Sequence, residues 1–180
     1  MIATNVYILG ASYPIAGEKP TVLQEISVKT KVLDWQLNSL EVIGNKRINF
    51  LGGYHVEDII NQYPEINYII VKNWKSNTVL NTFFQADFED TAAIFTYADT
   101  IFRPDIINKV SQAKGDITIA IDVNYQNRFE DRPKSDLRIA EIITPTDGKY
   151  QGCKSEFTGL FHLSQRIIEK IKLLKNLREK

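Results

Sequence analysis

The sequence predicts an α/β protein, a three-layer αβα sandwich built on a mostly parallel, Rossmann-like sheet. Two observations predict it. Apolar runs of strand length alternate with helix-period patterns from residue 5 to residue 113, which is the signature of βαβ units. Each run also ends in a residue suited to a turn, at Gly10, Gly53, Asn73 and Asp99. In parallel sheets, ligands sit outside the carboxyl ends of the strands, so those four positions should converge on one crevice.

The elements follow in order. Residues 5–11 (NVYILGA) form a short apolar strand that runs into a loop with two glycines and two prolines. The chain should re-enter regular structure at Val22. Residues 31–44 carry apolar side chains at 32, 33, 37, 40 and 43 with Gly44 behind them, a helix with its stop signal. Residues 47–54 (RINFLGGY) read as a strand, 56–63 as a short helix closed by Pro64, 66–73 as a strand and 77–86 as a helix. A strand at 92–99 precedes a helix at 103–113 with Pro104 in its first turn. Residues 116–123 form the next strand, and the polar stretch 124–136 is expected to loop out. Strands at 137–145 and 156–164 flank a TDGK turn, and a basic amphipathic helix closes the chain.

Composition narrows the function classes. At 180 residues the chain is expected to form one domain, residues 1–180, with no linker or repeat. Lys+Arg and Asp+Glu balance at 22 each, which leaves no net electrostatic footprint for nucleic acid. Cys153 is the one cysteine, so an internal disulfide and a cysteine-cluster zinc site are excluded. No apolar run approaches the roughly 20 residues a membrane-spanning helix needs. No leader pattern precedes the first strand, so a cytoplasmic location is the expectation.

Five segments in order, KPTVLQEI (19–26), the block 32–59 with its GGY turn, VKNWKSNTVLNTFFQA (71–86), FTYADTIFRPDIINKV (95–110) and the block 140–164 with its EFTGL, together carry a resemblance. They resemble the nucleotidyltransferases that activate sugar 1-phosphates and phosphocholine with CTP or another NTP, a family with the nucleotide-diphospho-sugar transferase-like fold. The resemblance spans essentially the whole chain. It implies an NTP and a phosphorylated small-molecule acceptor as partners, Mg²⁺ as cofactor, and a place in polysaccharide or lipid decoration. It also implies roles for particular residues. Asp99 would hold the metal. Leu9, Gly10, Ala11, Ser12, Gly53 and Asn77 would lie along the nucleotide, and Glu156 and Asp122 would face the acceptor.

The sequence departs from the family pattern at the first loop. The family's G-x-G-x-R before Pro-Lys holds the triphosphate and the leaving pyrophosphate. Here the loop is shorter, lacks arginine and has Thr21 where the lysine stands, so Lys19 is the one cation placed to substitute in catalysis. The family's second metal carboxylate, from a later strand, has no counterpart before the terminal helix.

Blander roles compete at each position. Asp99 can cap the turn that follows it, and Asn77 can cap the next helix. The glycines can serve tight turns. His55 and His162 lack ligand partners at metal spacing and are expected to be structural, and Cys153 an incidental thiol. The terminal helix is expected to dock on the domain or on a second copy in a homo-oligomer. Three function classes follow: an active nucleotidyltransferase, a degenerate nucleotide or sugar-phosphate binder, and a partner-binding domain that keeps only the fold.

Overall fold

A computed structural model of the chain describes residues 3–13, 19–76, 78–132, 140–146 and 149–178. Its centre is β1 (Thr4–Gly10), hydrogen-bonded in parallel to β4 (Lys46–Gly52) on one side and β6 (Ala93–Tyr97) on the other. Beyond β4 lies β5 (Asn67–Ile70), also parallel. On the far side β9 (Ser155–Leu163) runs antiparallel between β6 and β7 (Ile117–Asp122), giving the order β5-β4-β1-β6-β9-β7. The short β8 (Ile142–Ile143) pairs with the beginning of β9.

Burial on both sides explains the unbroken apolar run of β1, in which Val6 to Leu9 are all buried. Side chains alternate across the sheet. Tyr7 and Leu9 join Phe95, Phe88 and Ile168 on the face covered by α3 (Val79–Phe84) and α6 (Gln165–Arg178). Val6 and Ile8 point the other way, to α1 (Val32–Ser39), α2 (Val56–Gln62) and α4 (Pro104–Ser111) through Leu33, Ile59 and Ile107. The expected three-layer sandwich is present.

Several expectations need correction. The helix read over 31–44 is α1 followed by a 3₁₀ turn at Leu40–Val42. Re-entry after the first loop is a 3₁₀ turn at Thr21–Leu23, and a small hairpin of β2 (Glu25–Ser27) and β3 (Thr30–Lys31) precedes α1. Lys29 turns that hairpin at a φ of 60°, which alternation patterns do not reveal. The stretch expected to loop out contains a one-turn helix, α5 (Tyr125–Arg128), anchored by buried Tyr125. Of the strand read over 137–145, only Ile142–Ile143 pairs, and 137–139 lie outside the described residues.

The terminal helix docks on the sheet through Ile167, Ile168 and Ile171. Lys172 pairs with Asp90 at 2.5 Å and Lys175 donates to the Ala86 carbonyl at 3.1 Å. Leu174 and Leu177, further along the same helix, are exposed. Among the described residues no helix is long and apolar enough to cross a membrane.

Candidate functional site

Register brings the parallel strand ends together. Gly10 pairs with Gly52, Gly52 with Ile70, and Leu9 with Tyr97. Two further bonds carry the alignment past the strands, from Val71 N to Gly52 O at 2.8 Å and from Ala98 N to Leu9 O at 3.2 Å. The convergence expected of the strand ends holds for these residues. A cleft opens there, lined by Leu9, Gly10 and Ser12 from the first loop, Thr21 from the 3₁₀ turn, Tyr54 after β4, Val79 of α3, and Tyr97 and Asp99 after β6.

The sequence candidates divide around this cleft. Ala11 is buried in the core beneath it. Lys19 is exposed and does not line it. Gly53 serves packing, because a Cβ there would come within 2.3 Å of Trp74 Cβ. Gly10 is just as constrained, by Phe50 Cζ at 2.3 Å. Asn77 lies outside the described residues, and the cap of α3 is Thr78, whose hydroxyl accepts from Asn81 N at 3.2 Å. His55 is exposed, caps α2 with a φ of 45° and bonds Asp58 at 3.0 Å. Cys153 is an exposed free thiol.

Asp99 sits on the turn after β6. Its Oδ1 accepts from Thr100 Oγ1 at 3.2 Å, and no cation pairs with it among the described residues. It does not cap α4, whose N-cap is Arg103. Sequence reasoning missed the residue that holds this turn. Gln36, on α1 and 3% exposed, donates from Nε2 to Tyr97 O at 2.9 Å and to Thr100 O at 2.6 Å, bridging the backbone on both sides of Asp99. Its Oε1 is buried without a hydrogen-bond partner among the described residues. A long polar side chain on the buried side of α1, where Ser39 is the other buried polar residue, was the available signal.

Tyr97 packs the cleft against β9. Its hydroxyl lies 3.1 Å from both Glu141 carboxylate oxygens. Burial, reinforced by the Glu141 charge, pushes the phenol well above its ordinary range, so it stays a donor at neutral pH. The glycine of EFTGL has its reason here. Gly159 lies at the β7–β9 register shift with a φ of 81°, and the Tyr97 ring occupies the space a Cβ would need, at 2.5 Å.

Asp122 and Glu156 are register partners on β7 and β9. Arg128 of α5 joins them, pairing with Asp122 at 2.7 Å and with Glu156. Asp122 also accepts from Asn124 N at 2.8 Å. Arg128 thus pairs with both carboxylates and offsets one of their two charges, whereas Asp99 pairs with no cation among the described residues. Arg128 was missed because it belongs to the stretch expected to loop out.

Among the described residues no three metal-ligating side chains cluster. Mg²⁺ commonly takes only one or two carboxylates and completes its shell with water and substrate phosphates. One exposed carboxylate beside a polar cleft fits that demand.

Comparison with known proteins agrees in sequence and in shape. The chain is 24% identical to the CTP:phosphoglutamine cytidylyltransferase of Campylobacter jejuni, over 93% of this chain and 76% of that protein. In sequence and fold the chain is similar to nucleotidyltransferases. The structure superposes on the inositol-1-phosphate CTP transferase from T. maritima with a TM-score of 0.61 at 15% identity, covering 93% of this chain and 73% of the other. HddC from Yersinia pseudotuberculosis, solved in complex with GMP-PN, matches with a TM-score of 0.62 at 18% identity over 92% of this chain and 79% of that one. These two structures share the fold with this nucleotidyltransferase-like chain. No family model matches it.

Proposed function

We propose that this chain transfers a nucleotidyl group from an NTP, CTP for preference, to a phosphorylated small-molecule acceptor of the sugar-phosphate or phosphocholine type. The observation that carries this is the Asp99 turn: an uncancelled carboxylate, held by Gln36 at the carboxyl end of β6, beside the Gly10–Ser12 backbone. An acceptor phosphate oxygen attacks the α-phosphorus in line, the bond to the bridging oxygen of the β-phosphate breaks, and pyrophosphate leaves. Catalysis of such a displacement is positioning and charge stabilisation. Asp99 is the residue that would hold Mg²⁺, which when bound supplies positive charge to the phosphate oxygens.

The chain's own groups do the remaining work. The Leu9–Ser12 loop positions the nucleotide, and Ser12 presents its hydroxyl to the cleft. Arg128, half-exposed and oriented by Asp122 and Glu156, offers the cation an acceptor phosphate requires. Lys19, the first cation in the sequence, is exposed and outside the cleft, so a catalytic role would need the loop to bring it in. A non-catalytic nucleotide binder is the second reading, favoured by the absence of any Lys or Arg from residue 10 to residue 18. The two separate in a ³¹P NMR assay with Mg²⁺, an NTP panel and phosphorylated acceptors. Pyrophosphate formed together with an acceptor-linked nucleotide supports transfer. Nucleotide binding without pyrophosphate in any combination supports the binder.

A further inference from the structure

The first loop lacks the cations with which a nucleotide's phosphates are ordinarily gripped, and residues 10–18 include Glu18. What the loop supplies in their place is aromatic. Tyr13, 64% exposed, meets the Tyr54 ring at 4.8 Å and lies nearly parallel to Trp74, with centroids 6.1 Å apart and planes 17° from coplanar. Tyr54 stands edge-on to Trp74 at 5.3 Å. Lys75 sits over the Trp74 ring at 5.5 Å. Tyr54 also lines the cleft, so the three rings continue the surface formed by Leu9, Gly10 and Ser12.

Trp74 is fixed from beneath, because its Cβ fills the space over Gly53, while the ring contacts of Tyr13 among the described residues are those with Tyr54 and Trp74. Two near-parallel rings need a spacing of about 7 Å to admit a third between them, twice the contact distance of aromatic carbons. The present spacing falls just short, so a small outward swing of Tyr13 opens a slot. A planar base is the part of the substrate that fits it. Each base stacked on an aromatic side chain contributes about 5- to 150-fold in affinity without needing phosphate charge.

We propose that Tyr13, Tyr54 and Trp74 form a base-stacking clamp, and that this chain takes its nucleotide by the base rather than by the triphosphate. This rests on the nucleotide-dependent function proposed above. It makes a distinctive demand: without Mg²⁺, affinity should be nearly level across mono-, di- and triphosphate, whereas a phosphate-gripping loop gives a steep ladder.

The test is calorimetric titration of the whole chain, without Mg²⁺ so that the metal proposed at Asp99 adds no phosphate affinity, using CMP, CDP, CTP and inorganic tripolyphosphate. The clamp predicts cytidine nucleotide affinities within about threefold of one another and tripolyphosphate at least about tenfold weaker. Tyr13→Ala and Trp74→Ala should each weaken all three nucleotides by about tenfold or more, with Trp74→Phe retaining most of the binding. Trp74→Phe and Tyr13→Ala cover the case in which Trp74→Ala disturbs packing at Gly53. Thr21→Lys, which places a cation in the cleft, should turn the level series into a rising one. An affinity that climbs about a hundredfold from CMP to CTP in the unaltered chain, with Tyr13→Ala silent, overturns the clamp. Pyrophosphate release alongside such a ladder leaves the transferase function standing and removes only the clamp. Level, ring-dependent binding without any transfer does the reverse. No binding of any cytidine nucleotide at millimolar concentration sinks the clamp and the nucleotide-dependent function together.

Discussion

A pair of strand ends and a single one carry carboxylates toward the same rim of the sheet, and they are treated in opposite ways. At β7 and β9, Asp122 and Glu156 share one guanidinium, that of Arg128. At β6, Asp99 has a neighbouring hydroxyl and no cation among the described residues, yet the backbone on both sides of it is tied down by a buried glutamine. A carboxylate already matched to a cation must give up that pairing before it can bind a metal. A carboxylate left uncancelled on a rigid turn need not. The contrast teaches that position at a strand end does not by itself mark a metal ligand; the local balance of charge does.

The largest structural effect should come from removing the device that makes the Asp99 turn rigid. Gln36→Met keeps the volume and deletes both donors, leaving the Tyr97 and Thr100 carbonyls without that partner. Stability to denaturant should fall by about 2–3 kcal/mol, and any Mg²⁺-dependent nucleotide binding should weaken with it. Loss of stability with metal dependence unchanged would mean that Gln36 only packs.

Gly159→Ala strains the other support of the cleft. It asks for a φ of 81° in a residue with a Cβ and pushes the Tyr97 ring aside. Unfolding should show a loss of about 1–3 kcal/mol. A silent substitution would mean that the β7–β9 register shift relaxes freely.

Arg128→Ala breaks the comparison from the acceptor side. Half-exposed ion pairs contribute about 1 kcal/mol or less, so the melting temperature should barely move. If Arg128 meets the acceptor phosphate, KM for the acceptor should rise several-fold while KM for the nucleotide holds. Equal changes in both would place Arg128 nearer the nucleotide.

The smallest effect is expected at His162, buried on β9 with Nδ1 unpartnered among the described residues. Burial lowers its pKa below 6.5, so the unfolded chain binds the proton more readily than the folded one. Its contribution to stability is therefore full above pH 6.5 and is lost as pH falls from there through the lower folded value. His162→Leu should flatten the stability profile across that acidic window. An unchanged slope would assign the acid sensitivity to carboxylates.

The sheet and its layers were legible because β1 and its neighbours are covered on both faces, which leaves unbroken apolar runs between turn residues. Asp99 was legible for the same reason, as the polar residue just past such a run. What escaped depends on contacts across the chain. Gln36 reads as one polar residue in a helix until its partners 61 and 64 residues away are known. Arg128 sits in a polar stretch whose short helix is held by buried Tyr125 and Phe129 and by its own ion pairs. The hairpin at Glu25–Lys31 is too short for alternation to register. The packing reason for the glycines was not legible either: a Cβ at Gly10 or Gly53 would meet Phe50 or Trp74, whatever ligand the cleft takes.

The central claim is that Asp99 is the metal-binding carboxylate of a nucleotide site. Calorimetric titration of Mg²⁺ with CTP into the unaltered chain, Asp99→Asn and Asp99→Ala tests it most directly, with thermal unfolding of each recorded alongside. Since Asp99 does not cap α4, both variants should unfold within a degree or two of the unaltered protein, while the Mg²⁺-dependent part of CTP binding disappears in both. Mg²⁺-dependent binding by Asp99→Asn equal to that of the unaltered chain would contradict the account.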